Sequence, residues 1–210
     1  MIRRGIAQGK TTTMQSTKYI SKLRSSCLLV LLLVFTVIQV NVEAQTGIKI
    51  GLVADIVYSP DGSKIAVAAG PTICTDESDH VIKIIDVASQ TELQSLEGHR
   101  CPVLSVAWKP DGTELASTGQ DSIIRIWDLA TGETRQEMKS GVSPDGQFSL
   151  EWSPDGSKIV HLFGGVWIIM WDTSTGDELF AIKGHTGTIN DVEWSPDGSQ
   201  LASGASDDTI

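Results

Sequence analysis

From Gly98 to Asp128 the chain reads GHRCPVLSVAWKPDGTELASTGQDSIIRIWD: a Gly-His pair, three short apolar runs parted by turn residues, and a closing Trp-Asp. The same order begins again at Gly184-His185 and continues to Ile210. Two weaker copies lie before and between these. Pro-Asp-Gly triplets at 60–62, 110–112, 154–156 and 196–198 mark one turn per copy, at intervals of 50, 44 and 42 residues. Asp86, Asp128 and Asp172 close the third run of three copies, at intervals of 42 and 44. A chain repeated in this way folds as a row of like units, each burying its apolar faces against its neighbours.

The runs are rich in Val, Ile, Trp and Ala, alternate at period two and are broken every eight to twelve residues. That pattern specifies β-strands, and no long stretch carries a helical period. In each Pro-Asp-Gly turn, proline presets φ and glycine takes the positive φ that closes a hairpin. The first interval is longer because its unit carries an insertion from about Pro71 to Ser78. A fifth triplet, Pro144-Asp145-Gly146, falls out of phase, where the loop before a first strand should lie. Four strands at a period in the low forties form one blade of a β-propeller.

On these residues the chain resembles the WD40-repeat family over about 50–210, nearly all of the chain after its leader. The resemblance implies an all-β fold: an incomplete arc of three four-stranded blades, at about 52–97, 101–140 and 147–183, and a partial fourth at 188–210. It also implies a buried quartet in each intact blade, here His99, Ser117, Asp121 and Trp127. His185, Ser203 and Asp207 repeat the offsets of 18 and 22 from the histidine. A buried carboxylate needs donors; an imidazole supplies one and passes the network through a hydroxyl to an indole N–H. In the first unit Lys49, Val67 and Ile85 replace His, Ser and Trp, and only Asp79 matches. In the third, Ser143, His161 and Gly165 replace His, Ser and Asp, while Trp171 remains. Those two blades are expected to rely on apolar packing alone. Trp108, Trp152 and Trp194, with Tyr58, recur at one first-strand position and are expected in the core or between blades. Trp167 stands outside the pattern and is the better candidate for a surface contact.

The first 44 residues differ in texture. Six Lys/Arg and one Glu precede or flank an uncharged run, Cys27–Val40, followed by Val42-Glu43-Ala44. That run is short for a membrane span, which takes ~20 apolar residues. The layout is that of a secretory signal peptide cut after Ala44, with Met14 as an alternative start and a retained anchor helix as the alternative fate. The body is then exported, secreted or periplasmic, or else anchored with the propeller outside the cytoplasm. Oxidising surroundings allow a Cys74–Cys101 disulfide, since both cysteines fall in loops that open on one face of neighbouring blades.

Function is less constrained than fold. Residues 45–210 carry ten Lys/Arg against 25 Asp/Glu, a balance that repels phosphate backbones and argues against nucleic acid as a partner. The Ser, His and Asp of the quartet recur once per blade with no Gly-x-Ser-x-Gly elbow, so no catalytic residue is assigned. The four histidines fall at no metal-ligand spacing, and no metal or cofactor is expected. Asp76, Glu77, His80 and Arg100, with Trp167, form the expected contact surface for a protein or peptide. The leading reading is an exported, non-enzymatic binding scaffold. The alternatives are a lactonase-like or quinoprotein-like enzyme on the same fold, and an intracellular scaffold. Three and a half blades do not close a ring of ~4–8, so further blades or another chain are expected to complete it.

Overall fold

A computed structural model describes residues 52–71, 73–74, 80–141 and 149–210. The leader, Lys49, Asp76, Glu77, Asp79, Ser143 and the out-of-phase triplet at 144–146 lie outside the described residues. Fourteen strands follow one another among them. The first sheet holds β1 (Leu52–Tyr58), β2 (Lys64–Gly70), β3 (Val81–Asp86) and β4 (Glu92–Leu96). The second holds β5 (Val103–Trp108), β6 (Glu114–Gly119), β7 (Ile123–Asp128) and β8 (Thr134–Lys139). The third holds β9 (Leu150–Trp152), β10 (Lys158–Phe163), β11 (Trp167–Asp172) and β12 (Glu178–Ile182). A final pair joins β13 (Ile189–Trp194) to β14 (Leu201–Ala205). Every sheet is antiparallel and in sequence order, as hairpin connections dictate.

The turns show why the sequence repeats where it does. In Ser59-Pro60-Asp61-Gly62-Ser63, Asp61 accepts from the Ser59 hydroxyl at 2.6 Å and from the Ser63 amide at 2.9 Å. Gly62, Gly112, Gly156 and Gly198 take φ of +72°, +74°, +71° and +70°, the left-handed region that glycine enters at no steric cost. The Ser59 hydroxyl, then the Ser63 amide and hydroxyl, hold the Asp61 carboxyl down to about 2. Asp197 sits in the same arrangement with Ser195 and Ser199.

The core lies between sheets rather than within one. Ile82, Ile84 and Leu96 of the first sheet meet Val106, Trp108 and Leu115 of the second. Ile124, Ile126 and Met138 then meet Trp152, Ile159 and Trp171 of the third. The first strands lie side by side in succession, β1 by β5, β5 by β9 and β9 by β13. Three polar clasps tie them. The Trp108 indole donates to the Val57 carbonyl at 3.3 Å, and the Trp152 indole to the Ala107 carbonyl at 3.0 Å, each crossing back to the preceding sheet. Asp55, at a bulge in β1, accepts from Ile56 N–H at 2.8 Å and from Val106 N–H of the next sheet at 2.9 Å. The recurrent first-strand tryptophans thus pack between blades, as their spacing predicts. Asp191 repeats Asp55 in the last pair, at the same bulge and with the same bond from the next amide, Val192 N–H at 3.0 Å.

The ends of the row differ from its middle. Leu96 and Met138, opposite Ile82 and Ile124, are 1% and 2% exposed beneath the following sheet. Ile182, opposite Ile168 in the same register, is 48% exposed. At the other end Tyr58 is 56% exposed, where its equivalents Trp108 and Trp152 are 9% and 5%.

Asp55→Ala leaves the Val106 amide without its acceptor inside the first junction. We expect a loss of about 1–3 kcal/mol in urea unfolding with the m-value unchanged; unaltered stability would show that the clasp contributes nothing.

Candidate functional site

The second sheet brings the expected quartet together. His99, in the loop entering β5, faces β6 and β7 from above. Its Nδ1 lies 3.0 and 2.9 Å from the two Asp121 carboxylate oxygens, and its Nε2 lies 2.7 Å from the Ser117 hydroxyl. The Trp127 indole donates to that hydroxyl at 2.8 Å. One direction of donation satisfies all four groups: indole to hydroxyl, hydroxyl to Nε2, and Nδ1–H to carboxylate. Ser117, His99 and Trp127 are all buried.

A fifth group joins them. Arg125, on β7, places Nη1 at 2.8 Å from Asp121 Oδ2 and 2.9 Å from His99 Nδ1, and its Nε donates to Glu137 at 3.1 Å. The one signal for it in the sequence is a lone charge inside the apolar run Ile-Ile-Arg-Ile-Trp. Burial works to raise the Asp121 carboxyl, but the hydrogen bonds and charges of His99 and Arg125 hold it at about 2. Burial, helped by the Arg125 charge, lowers His99 against the opposing pull of Asp121, so the imidazole stays neutral at pH 7. Asp121 is therefore an anion compensated by Arg125, which a buried carboxylate requires.

The last pair of strands holds half of this network. His185 Nε2 lies 2.8 Å from the Ser203 hydroxyl, and Nδ1 lies 3.3 Å from Asp207 and 2.9 Å from the Thr209 hydroxyl. Asp207 also accepts from the Thr186 and Gly187 amides at 2.7 and 3.2 Å. In the third sheet the expectation of purely apolar packing fails. His161 stands at the serine position, and its Nδ1 accepts from the Trp171 indole at 2.9 Å. An accepting Nδ1 leaves the proton on Nε2, which has no partner among the described residues. Burial lowers His161 to about 4. The first sheet does rely on apolar contacts, with Val67 and Ile85 packed on Val53, Ile56 and Ile65.

The expected contact residues separate. Cys74 and Cys101 are joined by a disulfide, with Cα atoms 4.1 Å apart, linking the first two sheets on the His99 side. Arg100 is exposed beside them, its amide donating to Asp121 at 3.3 Å. His80 corrects the reading: it is 1% exposed and cannot offer a surface. It sits directly before β3, where the chain turns back into the sheet. Trp167 is half-buried against the core between the second and third sheets, with the Lys183 ammonium 5.6 Å over its ring. Among the described residues no group of three His, Cys, Asp or Glu side chains could hold a metal ion.

The chain is similar to known proteins. The family described as "WD domain, G-beta repeat" matches residues 90–128 and 176–210. WD repeat-containing protein 1-B of Xenopus laevis is 36% identical over 97 residues, 46% of this chain and 15% of that protein. The human WD repeat and HMG-box DNA-binding protein 1 is 33% identical over 75 residues, 36% of this chain and 6% of that protein. A chain in the crystal structure of a mitotic checkpoint complex superposes with a TM-score of 0.62 at 24% identity, over 73% of this chain and 44% of that one. The chain thus spans less than half the length of each.

The buried imidazoles set an acid limit. The folded His161 titrates near 4 against about 6.5 when unfolded. As pH falls below 6.5 the unfolded state binds protons first, so stability is full above that value and is lost on the way to pH 4. Asp121 adds a second loss between about pH 4 and 2. Urea unfolding at pH 7.5 and 4.5 should differ by about 3 kcal/mol from His161, with His99 adding in the same direction. In His161→Gln, which keeps an acceptor for Trp171 but cannot titrate, the difference should shrink by about that amount. An equal pH dependence in both proteins would rule out His161 as the cause.

Proposed function

We propose that this chain, which matches the WD40-repeat family over residues 90–128 and 176–210, is an exported, non-enzymatic scaffold that offers the His99-side loops to a protein or peptide. The observation that carries this reading is the sealing of the quartet. The Ser117 hydroxyl is fully buried, donates to His99 and accepts from Trp127, so it has neither access to a substrate nor a lone pair directed at one. What the blade turns outward on that side is Arg100 beside the Cys74–Cys101 link. We assign contact to Arg100 with Asp76 and Glu77 of the neighbouring insertion, a mixed-charge set suited to a polar protein surface.

Export is supported by the basic, apolar and small-residue order of residues 1–44 and by two cysteines paired rather than free. Ring completion by further blades is supported at both ends of the row. Tyr58 and Ile182 lie uncovered at positions whose equivalents in the middle of the row are buried under a neighbouring sheet. A face of that kind is the natural seat of another blade.

Two measurements test the proposal. Intact mass and N-terminal sequencing of the exported protein should begin at residue 45 and find no alkylatable thiol without reductant. A retained residue 1–44 on a cytosolic, alkylatable protein would overturn export. A photo-crosslinking residue at position 100 should capture a protein partner that the same probe at Glu178, exposed on the outer strand of the third sheet, does not. Equal capture from both, or a stoichiometric metal in the purified full-length protein, would turn the reading towards another face or towards an enzyme.

A further inference from the structure

At the end of the strands opposite His99, the first and second sheets part around a cleft of about 690 Å³. Its floor is Ile84, Trp108 and Leu129, and its rim carries Lys64, Leu93 and Glu114. The repeat supplies its own control, because the junction between the second and third sheets has equivalent positions. There Arg135 lies across the gap. Its guanidinium pairs with Glu114 through Nε, and its Nη2 donates to the Thr173 carbonyl of the third sheet at 3.1 Å. Gln136 reaches the Thr175 carbonyl at 3.4 Å beside it. These bonds bolt the second junction shut.

The first junction keeps the glutamine, with Gln94 lying against Gly132 as Gln136 lies against Gly176, but lacks the arginine. Gln94 pairs with Ile84 as Gln136 pairs with Ile126, which sets Leu93 at the place of Arg135. Lys64 pairs with Asp86 as Glu114 pairs with Asp128, which sets Lys64 at the place of Glu114. Cation and anion have become leucine and lysine. Leu93 is left 52% exposed. The carboxylates of the cleft are engaged: Glu114 by Lys109 at 3.2 Å and by Arg135, and Asp128 by the Ala130 and Thr131 amides at 2.8 and 3.1 Å. Lys64 makes no ion pair among the described residues. Asp61 and Asp86 feel the Lys64 charge without contacting it, so the cleft joins an apolar floor to one ammonium that no described carboxylate touches.

We propose that this cleft is a docking site for a peptide segment of a partner protein, with a carboxylate set against Lys64 and an adjacent apolar side chain on Leu93, Trp108 and Leu129. Charge complementarity selects the carboxylate, and the exposed Leu93, lining the cleft with Trp108 and Leu129, selects its apolar neighbour. The surplus of acid in residues 45–210 repels an extended acidic tract, so the fit is to a single carboxylate beside an apolar residue. This site lies at the other end of the strands from the Arg100 loops, and its success or failure is independent of theirs.

Amide spectra of the ¹⁵N-labelled protein, titrated with capped dipeptides, test the proposal. N-acetyl-Phe-Glu-amide should shift the Leu93, Gln94, Thr113 and Leu129 amides. N-acetyl-Phe-Gln-amide should bind about five-fold more weakly, the effect of losing one half-exposed ion pair, and N-acetyl-Phe-Lys-amide more weakly still. Lys64→Gln should bring the Glu probe down to the Gln probe without moving the latter. The double variant Lys64→Glu with Leu93→Arg rebuilds the bolt of the second junction and should abolish all three titrations. Equal binding of the three probes, shifts elsewhere, no shift with any probe, or survival of binding in the double variant would each overturn the proposal. So would probe-free shifts of the same amides with protein concentration, which would assign the cleft to a second copy of the chain.

Discussion

A sheet that is apolar on both faces cannot stand alone in water, and that constraint organises this molecule. Ile82, Ile84 and Leu96 gain their burial from the second sheet, and Ile124, Ile126 and Met138 gain theirs from the third. Each junction removes two apolar faces from water at once, at roughly 25 cal/mol per Å². Stability is thus a property of neighbours, and a single blade has no core of its own. The turns, bulges and polar clasps serve to keep successive sheets at the separation where their side chains interlock.

The polar network of the second sheet follows from the same geometry. His99, Ser117 and Trp127 sit where the sheet is covered on both sides, so each polar atom must be satisfied internally. Arg125 explains how a carboxylate remains ionised there: its guanidinium faces both Asp121 and His99 while its Nε reaches the half-exposed Glu137. The third sheet solves the same problem with fewer parts. A single His161–Trp171 bond replaces the relay and leaves one imidazole nitrogen without a partner among the described residues. Such a site is stable only while the ring is neutral.

Repetition also makes differences between blades informative. Arg135 closes one junction, and at the matching place Leu93 leaves the preceding junction open. A change that is neutral for the fold, because the floor of Ile84, Trp108 and Leu129 persists, creates a surface with its own chemistry. Variation between copies is where a repeat protein acquires function, since the shared positions are committed to stacking.

The sequence by itself determined the strand order, the hairpin turns, the junction tryptophans and the identity of the quartet. All of these rest on local turn chemistry and on a period that survives copying. It could not show that His80 is buried or that His161 takes the serine's part. Neither could it show that Asp55 and Arg125 bind across elements or that Leu93 opens a cleft. Those outcomes depend on which side chains meet from different strands and different sheets. The distances between them are set by the packing of one blade on the next, a quantity that no local pattern encodes.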